Sequence, residues 1–87
     1  MVFVYMLQSK SIRRFYIGVT TNLANRIEQH NNGHTKSTRP YRPWVLIYFE
    51  TFSDKSLAYK REYHLKHASG YLEKKKIIGI YQFGEIA

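Results

Sequence analysis

The chain has 87 residues, a formal charge of +8, 44% hydrophobic and 16% aromatic content, and no cysteine. These figures fit one domain burying about 60–65% of the surface its unfolded form would expose, and they exclude disulfide frameworks, thiol catalysis and cysteine-based zinc sites. Fourteen Lys and Arg against six Asp and Glu, spread from Lys10 to Lys76, call for a polyanionic partner, nucleic acid first.

Val2 to Leu7 and Phe15 to Val19 are rich in β-branched and aromatic residues and read as buried strands. The polar stretch from Gln8 to Arg14 between them, which includes Arg13, makes the pair a β-hairpin. Thr20-Thr21-Asn22 then offers side-chain oxygens to start a helix, Leu23 and Ile27 recur at helical spacing, and Gly33 ends it. Gly33 to Pro43 is a basic connection carrying Lys36, Arg39 and Arg42; its prolines forbid a regular helix, and its charge suits a surface that touches a ligand. Trp44 to Phe49 is apolar throughout and is expected to be a central strand covered on both faces. Ser53 or Asp54 caps the next helix, where Leu57, Arg61, Leu65 and Ala68 trace one stripe and Ala58, Glu62 and Ser69 an adjoining one. After Gly70 a last short helix spans Tyr71 to Ile78, with Leu72, Ile77 and Ile78 buried and Lys74, Lys75 and Lys76 exposed, the lysines attracting phosphates nonspecifically. The whole reads as a single domain over 1–87, its core at 2–78 and a tail at 79–87.

Arg26 and His30 are one helical turn apart and border the Leu23 and Ile27 face, so both point along the edge of the core, where a cleft can form between helix and sheet. If Tyr5 and Tyr16 project towards that edge, two phenols, a guanidinium and an imidazole converge, the parts of a phosphodiester-cutting site. Plainer readings exist for each: strand aromatics with their hydroxyls at the rim, a solvated arginine, a histidine placed to meet a helix dipole, and for Glu62 a surface ion pair with Lys60, Arg61 or Lys66. The spacings of His30 with His34 and of His64 with His67 would let imidazoles share a metal, but Gly33 interrupts the first pair and no cysteine completes a set.

Phe3-Val4-Tyr5, Tyr16-Ile17-Gly18, the run Thr20, Asn22, Leu23, Arg26, His30, and the later Ala58 and Glu62 resemble, in order and spacing, the GIY-YIG nucleases, over about Val2 to Ile78. The similarity is to minimal stand-alone members related to the catalytic domain of the excision-repair endonuclease C subunit. The first motif is degenerate but keeps Tyr5, and Val19 stands where repair-type members often have a lysine. The resemblance implies an α+β fold, a small three-stranded antiparallel sheet flanked by about three helices. It also implies a catalytic set of Tyr5, Tyr16, Arg26, His30 and Glu62, with the two phenols, the guanidinium and the carboxylate sharing a solvent-open pocket. In that set Glu62 holds Mg²⁺ or Mn²⁺, Arg26 grips the scissile phosphate, and Tyr5 or Tyr16 orients or deprotonates the attacking water.

The leading expectation is a metal-dependent endonuclease acting on DNA in preference to RNA, selective for structure rather than base sequence, with a role in repair or recombination and no small-molecule cofactor. The alternative is a nucleic-acid binding module that cuts slowly or not at all. Arg13, Arg14, Lys36, Arg39, Arg42, Lys74 and Lys75 are the candidate nucleic-acid contacts. The longest apolar runs, six residues each, are far short of the roughly 20 needed to span a bilayer, and the opening residues do not read as a leader, so the cytoplasm is the default. Nothing in the composition fixes an oligomeric state.

Overall fold

The computed structural model describes residues 1–84, with side chains through residue 80. Strands β1 (Val2–Ser9), β2 (Phe15–Thr20) and β3 (Trp44–Phe52) form one antiparallel sheet in the order β2-β1-β3. Helices α1 (Leu23–Asn31), α2 (Lys55–Lys66) and α3 (Tyr71–Gly84) flank it, giving the expected α+β architecture. Asn22 caps α1 by accepting from the backbone N–H of Asn25, and Asp54 caps α2 by accepting from Ser56. Gly33 follows α1 with φ of +82°, a left-handed conformation that favours glycine. Among the described residues, no helix is long and apolar enough to cross a membrane.

The central strand is β1, and this corrects the expectation for Trp44 to Phe49. Along β1 alternate side chains feed two different cores, which is why its apolar run is unbroken. Val2, Val4 and Met6 face α2 and α3 and pack with Ile17, Ile47, Ala58, Leu65 and Ile77. Tyr5 and Leu7 face α1 and pack with Trp44, Leu23 and Ile27. Strand β3 lies at the edge, displaced by an irregularity opposite Met6 and Leu7. It buries Trp44 and Ile47 while Val45 and Phe49 reach solvent, Phe49 meeting Phe3 edge-on at 5.9 Å.

Two leucines depart from their expected burial. Helix α2 buries Ala58 and Leu65, seven residues apart, which turns Leu57 by 100° towards solvent. Leu72 is 83% exposed, because α3 turns Ile77 inward instead. Helix α3 also continues to Gly84, beyond the expected stop at Ile78, and Ala68 to Gly70 form a separate tight turn rather than the end of α2.

Arg61 ties α2 to β3 and α3. Its Nε and Nη2 each donate at 2.8 Å to Glu50 of β3, its Nη1 donates at 3.0 Å to Glu73 of α3, and Nη2 also pairs with Glu73. Tyr48 donates to Glu50 at 2.5 Å. The guanidinium holds both carboxyls below their ordinary value of 4.5. Depressed carboxyls contribute stability that is present above the unfolded value and lost as the pH falls through the folded one. Chemical denaturation midpoints should therefore decline on acidification below 4.5, and Arg61→Met should lower the neutral midpoint and flatten that acid limb. Parallel acid limbs for the two proteins would remove the clamp from the account of stability.

Candidate active site

Strands β1 and β2 pair so that Tyr5 lies opposite Gly18. The phenol of Tyr5 crosses the glycine: a Cβ there would stand 2.5 Å from Tyr5 Oη and 3.0 Å from the Tyr16 ring. Gly18 thus lets the Tyr5 hydroxyl reach the β2 edge, where it meets His30 Nε2 at 2.9 Å. On the other side of the imidazole, Nδ1 stands 2.9 Å from Thr38 Oγ1, and the Thr38 hydroxyl donates to the Thr35 carbonyl at 3.3 Å. The direction of this chain follows from its end. A carbonyl cannot donate, so the single Thr38 proton is committed to it, Nδ1 carries the imidazole proton, and Nε2 accepts from Tyr5.

The electrostatics agree with that tautomer. Burial, with the nearby Arg26 charge added, pushes His30 down to about 4, so the ring is neutral. Burial pushes Tyr5 up to about 12 against the opposing pull of Arg26, so the phenol is protonated. Tyr5 and His30 are 1% and 0% exposed. This corrects the solvent-open pocket expected for the whole set: these two form its floor, and the wall that reaches solvent is Tyr16, Arg26 and Glu62.

Arg26 projects from α1 and interacts with the oxygens of both phenols, while its Nη1 donates to Gln29 at 3.0 Å. Tyr16 packs between His30, 4.8 Å away, and Trp44 at 6.4 Å, with Tyr5 at 6.2 Å. Glu62 arrives from α2, which packs on the opposite sheet face, and its charge acts on Tyr5. Because β2 is an edge strand, a side chain from α2 can pass round it to the α1 face. Lys66, one turn beyond Glu62, pairs with it at 3.2 Å and brings its ammonium to 5.9 Å above the Tyr16 ring. The surface ion pair weighed for Glu62 therefore exists, with Lys66 as partner. Val19 packs against the apolar core, and an ammonium near Tyr16 comes instead from Lys66.

The donor set at Glu62 is one carboxylate, a hard oxygen ligand, whose partner Lys66 lies over the Tyr16 ring. Such a set fits a divalent cation that keeps most of its waters and needs one or two carboxylates. Among the described residues there is no group of three or more His, Cys, Asp or Glu placed to hold a metal, and His30 has both ring nitrogens engaged by Tyr5 and Thr38.

The candidate nucleic-acid contacts fall into two groups. Arg13 and Arg14 lie on the β1–β2 loop, and Lys36, Arg39 and Arg42 on the 33–43 connection; all five are exposed. Ser9 joins these loops, accepting from Ser11 and Ile12 while donating to the Tyr41 carbonyl at 2.6 Å, and Arg14 lies 4.2 Å over the Tyr41 ring. Arg39 and Arg42 spend their Nε groups on the carbonyls of Gly33 and Arg39. Lys74 and Lys75 stand apart on α3, Lys75 over Tyr71.

Three supporting residues escaped the sequence reading: Thr38 and Ser9 counted only as polar positions of the loops, and Asn31 was given no part. Asn31 in fact brackets Trp44, accepting from its backbone N–H at 2.6 Å and donating to its carbonyl at 3.1 Å. Trp44 Nε1 in turn donates to the Thr38 carbonyl, which fixes the threonine against His30. Spacing in one sequence carries no sign of such pairings.

Residues 1–76 match the family profile described as the GIY-YIG catalytic domain. The chain belongs to the GIY-YIG family. This GIY-YIG chain is 46% identical over 65 residues to a UPF0213 protein of Staphylococcus haemolyticus, covering 74% of itself and 78% of that relative. A UPF0213 protein of Desulfotalea psychrophila is 45% identical over 69 residues, which span 77% of the chain and 62% of that relative's length. The solution structure of a UPF0213 protein from Bacillus halodurans superimposes with a TM-score of 0.55 at 33% identity, covering 92% of this chain and 85% of that one. The GIY-YIG assignment makes this a nuclease-type domain with nucleic acid as its substrate.

Two measurements test the geometry. Gly18→Ala should cost about 1–3 kcal/mol in denaturant unfolding, since the new methyl must displace the Tyr5 hydroxyl; wild-type stability would refute the close approach. His30 should stay neutral in NMR titrations from pH 8 to 5. As its folded value, about 4, lies below the ordinary 6.5, the unfolded chain takes up a proton that the folded one refuses, so stability should fall as the pH drops between those values. An imidazole titrating near 6.5 would break the inferred hydrogen-bond direction.

Proposed function

We propose that the protein is a divalent-metal-dependent endonuclease that hydrolyses phosphodiester bonds in DNA, in preference to RNA, and selects branched, nicked or flapped substrates of repair or recombination. One observation supports this reading: the ion pair of Lys66 with Glu62 extends from α2 to within 5.9 Å of the Tyr16 ring, and the phenols of Tyr16 and Tyr5 both interact with Arg26. A structural ion pair alone gives no reason for that convergence. The basic loops bearing Arg13, Arg14, Arg39 and Arg42 touch phosphates, which carry position and not sequence, so discrimination falls on backbone shape.

Glu62 would hold the cation, which when bound would polarise a non-bridging phosphate oxygen and ease departure of the leaving group. Arg26 pairs with the scissile phosphate and gains strength as charge builds on it. Tyr16, on the solvent-reaching wall, orients the attacking water. Tyr5 serves as the relay: its oxygen takes the proton of the water while its own proton passes to His30 Nε2. His30 rests neutral because burial lowers it, which leaves Nε2 without a proton of its own.

Incubation of the purified protein with labelled duplex, single-stranded and branched DNA and RNA, in Mg²⁺, Mn²⁺ or chelator, tests this directly. Cleavage of branched DNA should require the cation, and Glu62→Gln should abolish it while binding in chelator stays within about twofold of wild type. Arg26→Ala should lower turnover by roughly 100-fold or more, with a smaller loss of affinity. Equal cleavage by Glu62→Gln and wild type would eliminate the mechanism.

A further inference from the structure

Helix α2 presents aromatic rings on its outer side. Tyr59 is 54% and Tyr63 64% exposed, and they stand one turn apart on a face adjoining Glu62. Tyr63 lies flat on His67, ring centroids 3.8 Å apart at 16°, and His67 Nδ1 donates to the Tyr63 carbonyl at 2.7 Å. The pair is therefore a single flat platform whose orientation is fixed before any ligand arrives. Lysines run along the same track: Lys55 shares a groove of about 230 Å³ with Tyr59, and Lys66 and Lys74 share one of about 210 Å³ with His67. From Tyr59 to His67 the row covers about 12 Å of helix.

Single exposed aromatics are ordinary on a protein surface. Three on one helix face, interleaved with ammonium groups on a chain of charge +8, are complementary to one chemistry: a polyanion that also presents flat apolar faces. Nucleic acid offers such faces only where its bases are unpaired, since a duplex stacks them away. We propose that the Tyr59, Tyr63 and His67 face of α2 binds an unpaired segment of a polynucleotide, stacking its bases on the rings while Lys55, Lys66 and Lys74 meet its phosphates. This deepens, and rests on, the nuclease reading: the platform places a single-stranded arm beside Glu62, and the junction of that arm with a duplex becomes the cleavage point.

Fluorescence anisotropy in chelator, where no cleavage occurs, tests the platform separately from the chemistry. Tyr63→Ala should weaken binding of labelled single-stranded DNA about tenfold and leave a blunt duplex of the same sequence within about twofold. Tyr63→Phe should restore the affinity, because stacking needs the ring and not the hydroxyl. A single-stranded RNA arm should lose affinity in parallel. An unchanged single-strand affinity, or an equal loss on duplex and single strand, would overturn the proposal. A selective loss for Tyr63→Ala combined with undiminished cleavage by Glu62→Gln would instead strike the catalytic reading and leave the binding face standing.

Discussion

The hydrogen bond between Tyr5 and His30 sets conditions that the surrounding chain has to meet. Both groups are buried, and a buried hydroxyl or imidazole without a partner costs several kcal/mol. The pair is relieved only because Gly18 leaves room for the phenol, Thr38 accepts the far side of the ring, and Trp44 and Asn31 pin the loop that carries Thr38. Among the described residues no buried side-chain polar atom lacks a partner. A basic connection between α1 and β3 is in this way tied to α1 and β3 through Thr38 and to β1 through Ser9, although most of its other residues face water.

Adjacent residues of α2 divide the remaining work between the two edges of the sheet. Arg61 turns towards β3, where Glu50 and Glu73 hold it, and Glu62 turns towards β2 and the phenols. Since consecutive helical residues diverge by 100°, fixing the first side chain fixes the roll of the helix and aims the second. The ion network outside the site thereby bears on where the carboxylate stands, and it also anchors the start of α3.

The sequence made the strands, the helix caps at Asn22 and Asp54, and the family pattern legible, because each depends on local spacing or local backbone chemistry. It misplaced β3. An unbroken apolar run does not distinguish a strand covered on both faces from an edge strand that keeps Phe49 against Phe3 in partial contact with solvent. Periodicity put Arg26 and His30 at the edge of the core and the family resemblance added Tyr5 and Tyr16, but the depth of Tyr5 and His30 came from Gly18 and Thr38, which are partners across the fold rather than neighbours in the chain. Leu57 was read into a helical stripe with Leu65, and Leu72 was read as buried, and packing left both exposed. Arg61 was weighed as a partner for Glu62; its carboxylates come from elements 11 and 12 residues away, a separation that no helical template contains.

The strand at the middle of the sheet is also synthesised before its two neighbours. Strand β1 can zip with β2 across a short turn, but its other neighbour returns only after most of the chain has been made, Val2 pairing with Phe52. Closing that second seam spends loop entropy that the hairpin does not, so nascent β1 waits with one flank open while α1 and its basic connection are synthesised. Residues that keep this flank from pairing with another chain in the interval are then under a selective pressure unrelated to the finished fold.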